Sequence, residues 1–508
     1  SSYYNSSYSS YSNIQKPNNN NTYENSTNRG NSYSYNSYDM PAGGAGRDEE
    51  LGIGKHTDQF LKQRLKRHLY EIYGFRDFRD GQLRTITAAM RGRDAFSIMP
   101  TGQGKSLTYQ LPGMLNRGIT IVISPLLSLV QDQVDSINVL QDGNVSTIKG
   151  KYGVRFEENF ASFSNCKYAL RLSSGTAALV AAYKSLNLKI GDELITTPRS
   201  FVATSSAAVE IGLKPVFADV DINSGNITVD SIEPLINSKT KVICVVHLAG
   251  YPAEMKKIQI LAKKYNLFLI EDCSQAHGAQ IDNISVGSFS DIATWSFCTD
   301  KIISTGGEGG MITTNNKNLY DYILSYRNHG KINIQTSQEY KEDFLYKWVH
   351  HSIGVNLRLT ELQSAIGFLQ LSKLKLWNTR RTYNAKLLIQ ILNRISCVRT
   401  QHVPKNMKHA WYKFYFYIIE ENLKSNWSRN RIIKEINLLG FPAFQGSCSE
   451  LYLEKGLKLH INHTNKKLDN AKLLGDTSVM LLVHHTISKS QMKQYVDVVA
   501  SILLKASK

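Results

Sequence analysis

Cysteine is scarce in this chain and never paired. The six cysteines among 508 residues stand at 166, 244, 273, 298, 397 and 448, with no CxxC and no metal-ligand spacing. That excludes a disulfide framework and the common zinc sites, so no metal is expected and a reducing, cytoplasmic setting fits. Long apolar runs are also missing. None approaches the ~20 residues of a membrane helix, and the N-terminus has no basic-then-apolar leader, so the sequence reads as soluble with no membrane partner. Carboxylates are the third shortage: 42 Asp and Glu face 60 Lys and Arg, a formal charge of +18. Such a surface favours anionic partners, either nucleic acid or a phosphate-bearing small molecule, and charge alone does not separate them.

Aliphatic residues are nearly absent from 1–50, which is built of Ser, Tyr and Asn. A disordered tail is expected there, because such a segment has nothing to bury. From 55 to 140 the composition changes. "FLKQRLKRHLYEIYGF" has helical apolar spacing, and "DAFSIMPTGQGKSLTYQLP" reads as strand, glycine turn and helix. A turn of that kind presents backbone N–H groups to phosphate: Gly102 and Gly104 shape it, Lys105 adds charge and Ser106 a hydroxyl. The spacing departs from the general P-loop pattern at Met99, where a glycine is usual. With "YGFRDFRDGQ" before it and "TIVISPLLSLVQDQV" after it, the segment 61–137 resembles the start of a RecQ-type DNA helicase. The resemblance implies Arg79 and Gln82 on adenine, Lys105 and Ser106 on the phosphates, and a partial RecA-like lobe. No DExH sequence and no second lobe follow, so this is a truncated, vestigial nucleotide site, and nucleic acid is expected only through this fragment.

Beyond it, strand-like runs alternate with helical ones: "ELIT", "PVFADVD", "KVICVVHL", "LFLIEDC" and "IATWSF" against "TAALVAAYKSL" and "AEMKKIQILAKKYN". This is the rhythm of an α/β domain whose sheet is covered on both faces, with ligand residues at strand ends. Gly175 and Thr176 open a helix where free N–H groups suit a phosphate. Asp272 and Gln275 follow a buried strand, and Lys301 comes one strand–helix–strand excursion later. An amine, a carboxylate and a phosphate cup are the three needs of a pyridoxal phosphate site: the amine forms a Schiff base and the carboxylate keeps the pyridine nitrogen protonated.

The motifs "FEENFASF", "SSGTAAL", "TTPRSFVATSSAAVEIGLKPVFADVD", "VVHLAGYPAEM", "IEDCSQAHGA", "SFCTDKIISTGGEGGMI", "RNHG" and "GVNLRLTELQSAIGFLQLSKL" stand in one order. From Asp142 onward the chain resembles the DegT/StrS family of sugar-nucleotide aminotransferases. The resemblance implies a fold-type I, aspartate-aminotransferase-like architecture, with a large domain over 142–380 and a small one over 381–508. It implies Lys301 and Asp272 as catalytic, Gln275 near the ring hydroxyl and Phe201 stacked on the ring. It puts Ser296 with the Gly175–Thr176–Ala177 turn on the phosphate. Asn356 is expected to reach the phosphate of a neighbouring subunit in a homodimer. The implied reaction moves an amino group from an amino acid, glutamate being expected, to a nucleotide-linked ketosugar. Arg380 and Arg381 are a candidate diphosphate contact or a solvated helix face. Thr360 and Gln363 form a capping-box pattern.

Overall fold

The computed structural model describes residues 56–73, 75–79, 81–91, 95, 107–115, 150–331, 349–461 and 468–508. The expected tail over 1–50 and the glycine turn carrying Gly102, Gly104, Lys105 and Ser106 lie outside the described residues. The chain divides into two compact units, Ser1–Ile123 and Ser124–Lys508.

In the first unit, helices α1 (His56–Tyr73), α2 (Gln82–Met90) and α3 (Leu107–Leu115) are described. Leu65 and Leu69, one turn apart on α1, pack with Ile86, Leu107 and Leu111 into a small core. Helix α2 starts at Gly81, whose φ of 82° is open to glycine at little cost. Gln82 is buried and its Oε1 accepts the Arg79 backbone N–H at 2.8 Å, while Arg79 itself is exposed.

The second unit begins its described part with α4 (Lys151–Phe163). A seven-stranded sheet follows, made of β1 (Tyr168–Leu172), β2 (Glu193–Thr196), β3 (Lys214–Phe217), β4 (Thr240–Val246), β5 (Phe268–Asp272), β6 (Ile292–Ser296) and β7 (Gly310–Thr314). Their order is β1-β7-β6-β5-β4-β2-β3. Strands β2 to β6 pair in parallel, and β7 runs antiparallel to both β6 and β1. Helices α5 (Gly175–Ser185), α6 (Ala203–Glu210) and α7 (Met255–Lys264) make the crossovers. Strands β2 and β6 are buried at every residue and β4 at every residue but Lys241, as expected where helices cover both faces.

The expected strand "PVFADVD" stops at Phe217. Asp221 ends it by turning the chain: its Oδ1 accepts the N–H groups of Asn223 and Ser224 and the Ser224 hydroxyl, a local bonding pattern that competes with a ladder.

A second sheet contains β8 (Val398–Thr400), β9 (Phe414–Ile418), β10 (Ala443–Phe444) and β11 (Ser478–Leu481), all antiparallel, in the order β8-β9-β11-β10. Helix α8 (Lys317–Tyr326) follows β7, and the 32-residue α9 (Glu361–Leu392) connects the two sheets. The capping box of Thr360 and Gln363 opens α9 as its spacing predicts. The expected change of domain at 380 falls inside α9, which gives Leu374 to the core of the large sheet and Leu388 to that of the small one. Arg199, fully buried in the loop after β2, lies over the rings of Tyr415 and Tyr417 of β9 at 5.3 and 5.6 Å, a cation–π contact between the two sheets.

Glu361 opens α9 almost wholly buried. It accepts N–H groups from Tyr152 and Gly153 in the first turn of α4, and Arg171 stands 3.7 Å away. Arg171 also pairs with Glu157, as does Arg327. This network fixes α4 and α9 against β1, beside the strand ends that carry the functional residues.

Candidate active site

Asp272 ends β5 with its carboxylate out of solvent. Thr204, in the first turn of α6, donates its hydroxyl to Oδ2 at 2.8 Å, and the Ser274 N–H donates to Oδ1 at 3.1 Å. A buried carboxylate needs such donors to stay charged. Its charge reaches its neighbours: burial, with Asp272 adding to it, pushes the Cys244 thiol far up. Phe201, three residues before Thr204, is 68% exposed among the described residues, a ring near the strand-end face.

Strand β6 lies beside β5, with Asp272 opposite Thr294, so Ser296 is two residues further along on the same side. A Cβ at Gly175 would fall 2.7 Å from the Cβ of Ser296, so only glycine lets α5 start that close to the serine. Ser174 caps α5 by accepting the Ala177 N–H at 3.0 Å. Of the expected Gly175–Thr176–Ala177 turn, the third N–H is thus engaged inside the protein. Ser174, whose hydroxyl lies at the same helix start, was not singled out from sequence, although serine before a small-residue helix is a capping signal.

Gln275 is buried, and its Oε1 accepts the Ala249 N–H at 2.7 Å. His277, two residues on, is fully buried between strand end and lysine. Its ring packs on Trp295 and Phe297, which flank Ser296, at 5.4 and 5.7 Å. Burial first, then the charges of Lys301 and Arg381, lower its pKa to about 3. His277 thus packs the segment after Asp272 against the residues on either side of Ser296.

Lys301 follows β6, and its side chain is 16% exposed. Its Nζ lies 3.2 Å from Asp300 Oδ1 and 3.5 Å from the Tyr412 hydroxyl, which itself donates to Asp300 Oδ2. Lys413 stands over the same Tyr412 ring, at 4.7 Å from its centroid, as Lys301 does at 5.1 Å. Burial, with Arg381 and Lys301 nearby and Asp300 opposing, lowers the Lys413 pKa. Arg381 is buried, not on a solvated face, and donates from Nη1 to the carbonyls of Trp411 and Tyr412 at 3.1 and 3.2 Å. It holds the Tyr412 segment against the lysine, and burial lowers its own pKa to about 10. Sequence reasoning missed Thr204, Asp300 and Tyr412. Asp300 was legible as the neighbour of Lys301, but nothing local marks Tyr412, 111 residues away.

Asn356 is not brought to this cluster within one chain. It is exposed, pairs with Asn328 in an isolated bridge, and adjoins Leu357, whose carbonyl accepts the Ser173 N–H at 2.8 Å.

Among the described residues, His247, Glu271 and Cys273 are a group of metal-ligating types with converging atoms. Both nitrogens of His247 are already engaged: Nδ1 accepts the Ala253 N–H at 3.1 Å, so Nε2 is the donor to Glu271 at 3.1 Å. Glu271 also accepts from Gly287, Phe289 and Ser290. The group is a saturated internal brace.

Residues 129–500 match the DegT/DnrJ/EryC1/StrS aminotransferase family, beginning ahead of the expected Asp142. The chain is 36% identical over 285 residues to the GDP-perosamine synthase of Escherichia coli O157:H7, covering 56% of this chain and 74% of that protein. It is 35% identical over 280 residues to the dTDP-3-amino-3,6-dideoxy-alpha-D-galactopyranose transaminase of Aneurinibacillus thermoaerophilus, covering 53% and 73%. Among solved structures, an aminotransferase from Psychrobacter cryohalolentis aligns with a TM-score of 0.71 at 40% identity, covering 76% of this chain and all of that one. The described residues fit a pyridoxal phosphate: a glycine-only gap beside Ser296, a buried carboxylate with its own donors, and a mostly buried amine.

Proposed function

The chain belongs to the DegT/DnrJ/EryC1/StrS aminotransferase family, whose enzymes use pyridoxal 5′-phosphate, and from that premise we propose that it moves an amino group from an amino acid to a nucleotide-linked ketosugar. Glutamate is the proposed donor. The observation that supports the reading is the glycine-only gap at Gly175 beside Ser296, on the strand next to the one that ends in the buried Asp272. The substrate class rests on the relatives, several of which are transaminases or synthases of nucleotide-linked amino sugars.

When bound, the cofactor supplies an electron sink for the bonds at the amino-bearing carbon. Lys301 would anchor it and would move the proton of that carbon at Nζ. Asp272, held by Thr204 and Ser274, would keep the pyridine nitrogen protonated. Ser296, with Gly175 and Thr176 at the start of α5, would hold the phosphate, where N–H groups and the helix dipole favour an anion. Phe201 would cover the ring face. Gln275, its carbonyl oxygen occupied by Ala249, keeps its amide N–H for the ring hydroxyl. A second copy completes the site: Asn356 is exposed beside Ile353, itself 93% exposed, on a segment suited to reach a neighbouring subunit.

The test uses the full chain loaded with pyridoxal phosphate. A visible absorbance band should appear and be absent in Lys301→Ala. Amino transfer from glutamate should then be followed by mass spectrometry across a panel of nucleotide-linked ketosugars. A folded protein that takes up no cofactor, or a Lys301→Ala protein that keeps the band, refutes the proposal.

A further inference from the structure

Resting on that reading of Lys301, we propose that Asp300 and Tyr412 are positioning residues for the Lys301 amine. The carboxylate and the phenol oxygen hold the amine whenever it is not covalently engaged, and so aim it for cofactor capture and for proton transfer.

The geometry is a closed triangle. Lys301 Nζ lies 3.2 Å from Asp300 Oδ1 and 3.5 Å from the Tyr412 oxygen, and the Tyr412 hydroxyl donates to the other carboxylate oxygen, Asp300 Oδ2. A free lysine has four rotatable side-chain bonds, and holding such a chain in one geometry costs rotamer entropy. Two fixed acceptors remove most of that freedom before the reaction begins.

Tyr412 is itself fixed. It is 7% exposed, and Arg381 from α9 grips the carbonyls of residues 411 and 412. The amine is thereby referenced to the small sheet through Tyr412 and to the large one through its own chain. Burial pushes the Asp300 carboxyl up, but the Lys301 charge and the Tyr412 hydroxyl outweigh it and hold the acid below its usual range, so it stays ionised. The other groups facing the amine are cationic or neutral: Lys413 across the Tyr412 ring, Arg381 behind it, and His277 at the strand end. Among the described residues Asp300 is the carboxylate that pairs with Lys301.

The expected consequence is a loss of rate at the amine with cofactor affinity largely kept. Uptake of pyridoxal phosphate by cofactor-free Asp300→Asn, followed by stopped-flow absorbance, should slow ~10-fold or more, as should a single turnover of the loaded protein with glutamate alone, through lost aim. The equilibrium dissociation constant of the cofactor should stay within about threefold of the parent, because its other contacts are untouched. Tyr412→Phe keeps the ring and its packing; it should slow both rates ~5-fold. Asp300→Glu should restore part of the parent rates. A merely structural role for Asp300 would weaken affinity and rate together. The proposal is overturned if Asp300→Asn and Tyr412→Phe, folded as judged by circular dichroism, both keep the parent uptake and single-turnover rates within twofold. Failure of the parent chain to bind the cofactor would instead refute the reading of Lys301.

Discussion

The hydroxyl of Thr204 donates to Oδ2 of Asp272 across 68 residues of sequence, at 2.8 Å and out of solvent. Thr204 sits in the first turn of α6 and Asp272 at the end of β5, so the contact ties the N-terminal end of a crossover helix to a strand end two strands away in the sheet. It serves two ends at once. It offsets part of the desolvation of a buried carboxylate, and with the Ser274 N–H on the other oxygen it restricts that carboxylate's rotation.

Asp272→Asn should leave the fold intact and cut amino transfer by ~100-fold or more, because the charge that keeps the cofactor nitrogen protonated is gone. Thr204→Val removes one hydrogen bond to a charged group, roughly 1.5–3 kcal/mol, and should cost about 10-fold to 100-fold. Steady-state rates with the two variants side by side check the order; Thr204→Val worse than Asp272→Asn would contradict it.

Gly175→Ala should weaken cofactor binding at least ~10-fold, since the added Cβ would fall 2.7 Å from that of Ser296 and must push α5 or β6 aside. Ser296→Ala, which removes a hydroxyl without adding bulk, should cost less than Gly175→Ala. Equilibrium titration with pyridoxal phosphate distinguishes them.

Glu361→Ala should lower stability by about 3–5 kcal/mol, because it strips the N–H groups of Tyr152 and Gly153 of their acceptor and leaves Arg171 short of a buried partner. Scanning calorimetry of the loaded protein should show a clear drop in Tm. Glu361→Gln, which keeps an acceptor oxygen but not the charge, should fall between.

Stability should decline in mild acid. His277 and His409 are buried and held near pKa 3, His409 by burial alone and His277 by burial with the Lys301 and Arg381 charges. Below about pH 6.5 the unfolded chain binds protons at these rings and the native chain does not, so stability falls as pH drops from about 6.5 toward 3. Each ring contributes at most ~1.4 kcal/mol per pH unit in that window. Urea unfolding at about pH 5 and about pH 7 should differ accordingly, and His409→Phe, which keeps a ring against Trp411, should narrow the difference.

Much of the frame could be read from the chain. The apolar strands β4, β5 and β6 were visible because a sheet covered on both faces needs unbroken runs, and the capping box at Thr360 because two side chains close on local N–H groups. Lys301 and Asp272 were legible as chemistry, an amine ahead of a glycine-rich run and an acid at a strand end. The length of "PVFADVD" was misread because Asp221 bonds locally, which apolar pattern does not register. Arg381 looked like half of a basic pair on a helix, whereas the fold buries it behind Tyr412.

By itself, then, the sequence determined which segments become strands and helices and which residues bear reactive groups, since periodicity and side-chain chemistry are properties of short stretches. Tertiary structure alone decided that Thr204 meets Asp272, that Gly175 must be glycine because Ser296 lies against it, and that Tyr412 meets Asp300 and Lys301. Those are distances between residues far apart in the chain, and they are set only when the packing of α9 and the two sheets leaves one arrangement that fills space.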